Sequence, residues 1–159
     1  MILVITGTQK FQFDRLLRAV DDLIDRGVIQ EEVFAQTGSS HYVPQNFKGQ
    51  AYLSKEDLLS YMKQSDIIIT HGGTASILDA VRMGKKVIAV PRLKKYKEHV
   101  DDHQMEIIRQ FSRDGIIEGV NDVGELEKAL ANIKQKKYAA YISGKDEVIS
   151  ELRKILQII

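Results

Sequence analysis

The sequence predicts an α/β fold, namely a single Rossmann-like open parallel sheet with helices on both faces. Short apolar runs alternate with amphipathic stretches along the chain, as expected for a sheet whose strands are connected by helices. The run at 66–70 is apolar without alternation, which is typical of a strand covered on both faces. Because the 159 residues contain no internal repeat or linker, we expect one domain over 1–159.

Residue patterns place the elements of this fold. Strands are predicted at 2–6, 33–37, 66–70, 87–90 and 115–117. Helices are predicted at 11–26, from Ser54, at 74–83, 100–111 and 122–133, and at 145–159 as a terminal amphipathic helix. Ser54 and Asp122 are predicted N-caps, since an acidic residue follows each of them three positions later. The segment 41–50, with Pro44 and Gly49, is typical of a loop.

The composition excludes several classes of protein. Twenty-three Lys and Arg residues against 22 Asp and Glu residues give a net charge of +1, so no basic excess favours nucleic-acid binding. The absence of cysteine excludes disulfides, thiolate metal sites and a thiol nucleophile. No apolar run approaches the roughly 20 residues that span a bilayer. We therefore expect a cytoplasmic protein.

A glycine-containing loop at 71–76 is the first candidate site. Two glycines permit close approach to the backbone, and Thr74 and Ser76 lie at a predicted helix N-terminus, where free N–H groups favour phosphate. The alternative is a tight strand-to-helix turn. Asp79 shares a helix face with Ser76 and could bind ribose hydroxyls, or it could be an ordinary exposed charge. Dinucleotide and Walker motifs are absent, which disfavours NAD binding and ATP hydrolysis.

The segment between Asp79 and Glu98 contains seven basic residues and no acidic one. Arg92 directly follows a predicted strand, near the expected position of a diphosphate. Lys94, Lys95 and Lys97 could face anionic lipids, or they could simply be solvated charges.

The polar segment 98–104 is the second candidate site. Carboxylate, imidazole and amide groups bind sugar hydroxyls, and the residues that could do so are Glu98, Asp102, His103 and Gln104. A polar helix start is the alternative. Because His99 and His103 are four residues apart, we expect them to share a helix face, and a metal-dependent hydrolase using them with Asp102 is a further hypothesis. The glutamate of the zincin motif is absent between them.

Together, the segments 71–79, 84–86, 90–92 and 98–104 resemble the carboxy-terminal half of GT-B glycosyltransferases of family 28, over residues 1 to about 120. The chain is most similar to the small stand-alone subunits of split enzymes. Among these, the bacterial subunits of capsule and exopolysaccharide synthesis resemble it more than the eukaryotic subunit that acts on dolichol-diphosphate sugars.

The resemblance implies a set of residues that bind a UDP-sugar. Gly72, Gly73 and Thr74 would hold the diphosphate, Asp79 the ribose, and Gln104 with His103 and Asp102 the donor sugar. Related enzymes carry a longer glutamate at the position of Asp79. Gly7 and Thr8 would border the cleft, and uracil would lie near Tyr52 or Leu53. No cofactor and no metal are implied, because a helix terminus and basic side chains can stabilise the leaving diphosphate.

The resemblance also implies how such a chain would work. It would be the donor-binding catalytic subunit of an inverting transferase that moves a sugar from a UDP-sugar to a membrane lipid-diphosphate-linked sugar. A membrane-associated partner would supply the acceptor-binding domain and the catalytic base, holding this chain at the inner face of the plasma membrane. His99 and His103 are the candidate bases on this chain. The alternative is a non-catalytic enhancer of the same transferase. The terminal helix could pack on its own domain, on a second copy in a homodimer, or on the partner.

Overall fold

The computed structural model describes residues 1–140 and 155–156, which contain a six-stranded sheet with every strand parallel to its neighbours. The strands are β1 (Ile2–Ile5), β2 (Val33–Gln36), β3 (Lys48–Gln50), β4 (Ile67–His71), β5 (Lys86–Val90) and β6 (Glu118–Gly119), in the order β3-β2-β1-β4-β5-β6. The predicted fold class is confirmed.

Helices cover both faces of this sheet. They are α1 (Asp14–Asp25), α2 (Lys55–Gln64), α3 (Thr74–Arg82), α4 (His103–Arg113) and α5 (Leu126–Gln135). Apolar residues of α1 and α5 form one core with the sheet, and those of α2, α3 and α4 form a second core on the other face. In β1, Ile2 and Val4 belong to the first core and Leu3 and Ile5 to the second. Burial on both sides explains why the central strands show no polar alternation.

The observed elements differ from the predicted ones at several places. α1 begins at Asp14 instead of residue 11. β3 lies inside the predicted loop 41–50, and its three residues are exposed, so no apolar pattern marks it. β6 begins at Glu118 instead of residue 115, because the Ile116 N–H bonds the Phe111 carbonyl and continues the turn that ends α4. α4 begins at His103, so the expectation that His99 and His103 share a helix face is wrong.

Two predicted N-caps are confirmed. The Ser54 side chain accepts a hydrogen bond from the Asp57 N–H. Asp122 and Glu125 form a capping box, which begins a 3₁₀ turn at 123–125 that leads into α5. Each of these helix starts could be predicted from the sequence, because the cap residue and its partner are only three positions apart.

The predicted terminal helix 145–159 lies outside the described residues, except for 155–156, which are helical. Ile155 packs against the second core, whereas Leu156 is exposed. Within the described part of the chain, no helix is long and apolar enough to cross a membrane.

The strand order creates a switch point between β1 and β4. The chain adds β2 and β3 on one side of β1 and then returns to add β4, β5 and β6 on the other side. The connections after β1 and β4 therefore leave the sheet in opposite directions, and a crevice opens at the carboxyl ends of these two strands.

Gly119 allows β6 to lie close to α4, and this contact provides a test of the packing. A Cβ atom at Gly119 would lie 2.2 Å from Ser112 Oγ and 2.6 Å from Ile108 Cγ2. We expect Gly119→Ala to lower the free energy of unfolding by about 1–3 kcal/mol through overpacking. Gly124→Ala is the matched control, because a Cβ atom there meets nothing within 4 Å. Equal urea midpoints for the two variants would contradict this packing.

Candidate functional site

A cleft of about 250 Å³ lies at the switch point. It is lined by residues from the ends of β1, β2 and β4, from the start of α3 and from around α2. The lining residues are Ile5, Gly7, Thr8, Gln9, Gln36, Leu53, Leu58, His71, Gly73, Thr74, Ala75 and Ser76. Five of the residues predicted to bind substrate are therefore among them, namely Gly7, Thr8, Gly73, Thr74 and Ser76.

The N-terminus of α3 opens into this cleft, and no side chain of the described residues caps it. Gly73 is the N-cap residue, and the first helical bond is made by the Ile77 N–H to the Gly73 carbonyl. The Thr74 hydroxyl is buried and has no hydrogen-bond partner among residues 1–140 and 155–156. Uncapped N–H groups carry the positive end of the helix dipole, so this terminus can bind an anion.

The loop after β1 forms the opposite wall and is held by Gln36. The Gln36 Oε1 accepts a hydrogen bond from the Gly7 N–H at 3.0 Å, and its Nε2 donates to the carbonyls of Gly7 at 3.0 Å and Ala51 at 2.7 Å. Gly7 has a φ of +97°, which disfavours any other residue there. Gln36 was not among the predicted site residues, although a polar residue that ends an apolar strand is a usable signal in the sequence.

His71 lies between the two walls. A Cβ atom at Gly7 would be 2.9 Å from its Nε2, and one at Gly73 would be 2.2 Å from its Cε1. Gly73 therefore accommodates this imidazole. Burial lowers the pKa of His71 to about 3, and Arg92 and His99 act in the same direction. The ring is neutral at physiological pH.

Gln104, a predicted sugar-binding residue, is 6% exposed and does not line the cleft. Its Oε1 accepts hydrogen bonds from the N–H groups of Gly72 at 3.0 Å and Arg92 at 3.1 Å, and its Nε2 lies 3.2 Å from His71 Nδ1. A Cβ atom at Gly72 would lie 2.6 Å from Gln104 Cβ. Gly72 thus makes room for Gln104 at the start of α4.

Arg92 is 1% exposed, and its guanidinium donates hydrogen bonds to backbone carbonyls. It donates to Phe11 at 3.0 Å, Gln12 at 3.4 Å, Glu98 at 3.2 Å and, in a shorter contact, Thr6. Burial lowers the pKa of Arg92 to about 10, against the opposing effect of Glu98, so it remains charged. These partners differ from the diphosphate that the sequence suggested for Arg92.

Glu98 is wholly buried and pairs with Arg15. Its two carboxylate oxygens each lie 3.0 Å from a guanidinium nitrogen of Arg15, and one of them also accepts the Leu93 N–H. Glu98 therefore stabilises the loop after β5 and does not face the cleft.

The remaining predicted site residues are not among those that line the cleft. Asp79 forms an ion pair with Lys55 and is partly exposed. Asp102 accepts the Lys94 N–H at 2.8 Å. His99 Nδ1 and His103 Nε2 lie 3.2 Å and 3.9 Å from the carboxylate of Asp101. Within residues 1–140 and 155–156, no group of three or more histidines and carboxylates is arranged to hold a metal ion.

Comparison with known proteins identifies the family. A family model described as the glycosyltransferase family 28 C-terminal domain matches residues 1–158. The chain belongs to this family. The predicted resemblance is thereby confirmed at the level of the family.

This family 28 domain is similar to the UDP-N-acetylglucosamine transferase subunit ALG13 of Debaryomyces hansenii. The two are 28% identical over 112 residues, which cover 65% of this chain and 53% of the relative. The chain thus spans about half of that relative's length. A second ALG13 subunit, from Kluyveromyces lactis, is 38% identical over 66 residues, covering 41% of this chain and 32% of the relative.

A solution structure of ALG13 shares the fold of this domain. It matches with a TM-score of 0.62 and 19% identity, and the match covers 95% of this chain and 94% of that chain. At this identity, the likeness is informative about the fold alone.

The buried contacts of Arg92 give a prediction for stability. We expect Arg92→Lys to lower the free energy of unfolding by about 2–4 kcal/mol, because an ammonium group lacks the planar fork that reaches several carbonyls at once. Arg109→Lys, an exposed change on α4, should alter it by less than about 0.5 kcal/mol. Chemical denaturation measures both. An Arg92→Lys protein as stable as the control would show that the carbonyl contacts contribute nothing.

Proposed function

We propose that this chain is the donor-binding catalytic subunit of a split, inverting glycosyltransferase that uses a UDP-sugar. The observation that carries the proposal is the N-terminus of α3 at the switch point of a family 28 domain. In the part of the chain that the structure describes, no side chain caps this terminus and the buried Thr74 hydroxyl has no hydrogen-bond partner. This arrangement is suited to the diphosphate of a nucleotide sugar.

The cleft offers separate chemistry to each part of such a donor. The diphosphate would lie on the N–H groups and hydroxyls of residues 74–76, opposite Gly7. Leu53 and Leu58 provide an apolar wall for the uracil ring. Of the two residues suggested by the resemblance, Leu53 is favoured over Tyr52, whose hydroxyl bonds Ser39 at 2.9 Å. Asp79, one turn along α3, would accept hydrogen bonds from the ribose.

The chemical step is a single displacement at the anomeric carbon of the donor sugar. A base removes the proton of the acceptor hydroxyl, and the acceptor oxygen forms the new bond as the bond to UDP breaks. The departing electron pair stays on the diphosphate, which the α3 terminus stabilises. His71, with a pKa of about 3, is too weakly basic to serve as that base. His99 and His103, the candidate bases on this chain, contact Asp101 and are not among the residues that line the cleft. We therefore assign the base to a partner subunit that carries the acceptor site.

The names of the relatives guide the choice of donor and partner. They are called subunits of a UDP-N-acetylglucosamine transferase, so UDP-N-acetylglucosamine is the first donor to test, followed by UDP-galactose, UDP-glucuronic acid and UDP-glucose. We propose a lipid-diphosphate-linked sugar as acceptor and a membrane-associated partner that holds this chain at the inner face of the plasma membrane. The role in capsular or exopolysaccharide synthesis remains a prediction from the sequence resemblance.

A non-catalytic enhancer subunit is the alternative function, and calorimetric titration with UDP distinguishes the two. A catalytic donor-binding subunit should bind UDP, whereas an enhancer need not retain such a site. Saturable binding of UDP, with a weaker response to uridine alone, would support the proposal. No heat of binding at millimolar UDP would contradict it in favour of the enhancer.

Asp79→Ala tests the ribose contact. We expect the free energy of UDP binding to weaken by about 1–3 kcal/mol, because a charged hydrogen-bond acceptor is lost. The fold should persist, since Asp79 is a partly exposed side chain on the surface of α3. Asp66→Ala, at the opposite end of β4, is the control and should leave UDP binding unchanged. A folded Asp79→Ala protein with unaltered affinity would refute the ribose role.

The exposed lysines after β5 provide a test of membrane association. Lys94, Lys95 and Lys97 lie beside the exposed side chains of Tyr96 and Val100. Changing all three lysines to Gln should weaken binding to vesicles that contain anionic lipid, by about 1 kcal/mol for each charge near the surface.

A control variant with the same change of charge should retain vesicle binding. It carries Gln at Lys63, Lys86 and Lys137, which are exposed near the amino ends of β4 and β5, at the opposite edge of the sheet. Equal binding by the two triple variants in a sedimentation assay would leave the lysines after β5 as solvated charges only.

A further inference from the structure

We propose that Gln104 is a positioning residue that holds His71 in the Nε2–H tautomer, so that a neutral imidazole presents a hydrogen-bond donor to the anionic ligand of the cleft. This inference rests on the proposed function for the identity of the ligand. It assigns to Gln104 a role different from the contact with the donor sugar that the sequence suggested.

The contacts of Gln104 determine which way its amide points. Its buried oxygen accepts two backbone N–H groups, from Gly72 at 3.0 Å and from Arg92 at 3.1 Å. In the flipped orientation, the NH₂ group would face those two donors with no acceptor between them. The oxygen therefore occupies this side, and the amide nitrogen must face His71.

The amide nitrogen in turn determines the tautomer of His71. It lies 3.2 Å from His71 Nδ1 and can only donate a hydrogen bond. Nδ1 must therefore be the unprotonated acceptor. In a neutral ring the remaining proton is then on Nε2. A doubly protonated ring would set Nδ1–H against the amide N–H, so the same contact disfavours the imidazolium form.

The Nε2 edge of the ring is directed between the two walls of the cleft. A Cβ atom at Gly7 would lie 2.9 Å from Nε2, and one at Gly73 would lie 2.7 Å from it. Across the described part of the chain, Nδ1 is the only ring nitrogen of His71 with a hydrogen-bond partner. An oxygen of a diphosphate on the α3 terminus would satisfy the Nε2–H group.

This arrangement has a functional advantage over a titrating histidine. A donor on a ring with a pKa near 3 does not change its protonation across the physiological pH range, so its contribution to anion binding is constant. Because the Nε2 lone pair is occupied by a proton, the ring cannot withdraw a proton from the acceptor hydroxyl. His71 would thus bind the leaving group while the base acts from elsewhere.

The tautomer can be measured in the ligand-free protein by long-range ¹H–¹⁵N correlation of the His71 ring. We expect the spectrum of an unprotonated Nδ1 and a protonated Nε2, unchanged between pH 6 and pH 8. Addition of UDP should shift the Nε2 resonance more than that of Nδ1. A protonated Nδ1 in the ligand-free protein would overturn the inference, whether or not the protein binds UDP.

Gln104→Glu tests whether the amide determines the tautomer. The carboxylate keeps an acceptor for Gly72 and Arg92 and places a second acceptor against Nδ1, so the His71 proton should move to Nδ1. UDP affinity should then fall about tenfold or more, since the donor at Nε2 is lost. Gln110→Glu adds the same charge to α4 beside Asp114 and should leave both the tautomer and UDP affinity unchanged.

The outcomes separate this inference from the proposed function. If the wild-type protein binds no UDP, the donor-binding function is refuted. The His71 tautomer of that protein still tests whether Gln104 holds the ring in the Nε2–H form. A Gln104→Glu protein in which Nδ1 stays unprotonated, or in which the proton moves from Nε2 to Nδ1 with no loss of UDP affinity, overturns the inference. If this variant fails to fold, the wild-type spectrum and its response to UDP decide.

Discussion

The buried guanidinium of Arg92 organises the carboxyl edge of the sheet. Arg92 lies just after the end of β5. Its guanidinium donates hydrogen bonds to carbonyls in the loop after β1 and in the loop that precedes α4. A buried cation is costly unless its donors are satisfied, so these loops are held at fixed positions around it. Glu98 and Arg15 extend the network to α1. The loop after β1, which forms one wall of the cleft, is therefore held in place by a buried charge.

Two glycines at the cleft are required by the protein's own side chains. The sequence suggested that Gly72 and Gly73 let a ligand approach the backbone. In the structure, Gln104 packs against Gly72 and the His71 ring packs against Gly73. The two glycines thus accommodate the amide of Gln104 and the imidazole of His71. The groups available to bind an anion are the backbone N–H groups at the start of α3.

The sequence predicted the elements that have local signals and missed those formed by distant contacts. Ser54 and Asp122 were found as caps, since each cap depends on residues within one turn. β3 was missed because its pairing with β2 uses backbone groups and its side chains are exposed. Five cleft residues were found from the glycine loops. The buried partners of Arg92, Glu98 and Gln104 could not be found, because they belong to segments that meet only in the folded chain.

The edges of the sheet have a consequence for self-association. β3 offers an open edge of three residues, where Lys48 and Gln50 flank Gly49, and β6 on the other edge has only two residues. A short edge strand with a charged side chain and no apolar one is a poor template for another strand, so edge-to-edge aggregation is disfavoured. Lys48 and Gln50 can therefore be exchanged for other polar residues as long as the edge stays charged, whereas a Cβ atom at Gly49 would lie 2.9 Å from the Ala35 carbonyl oxygen.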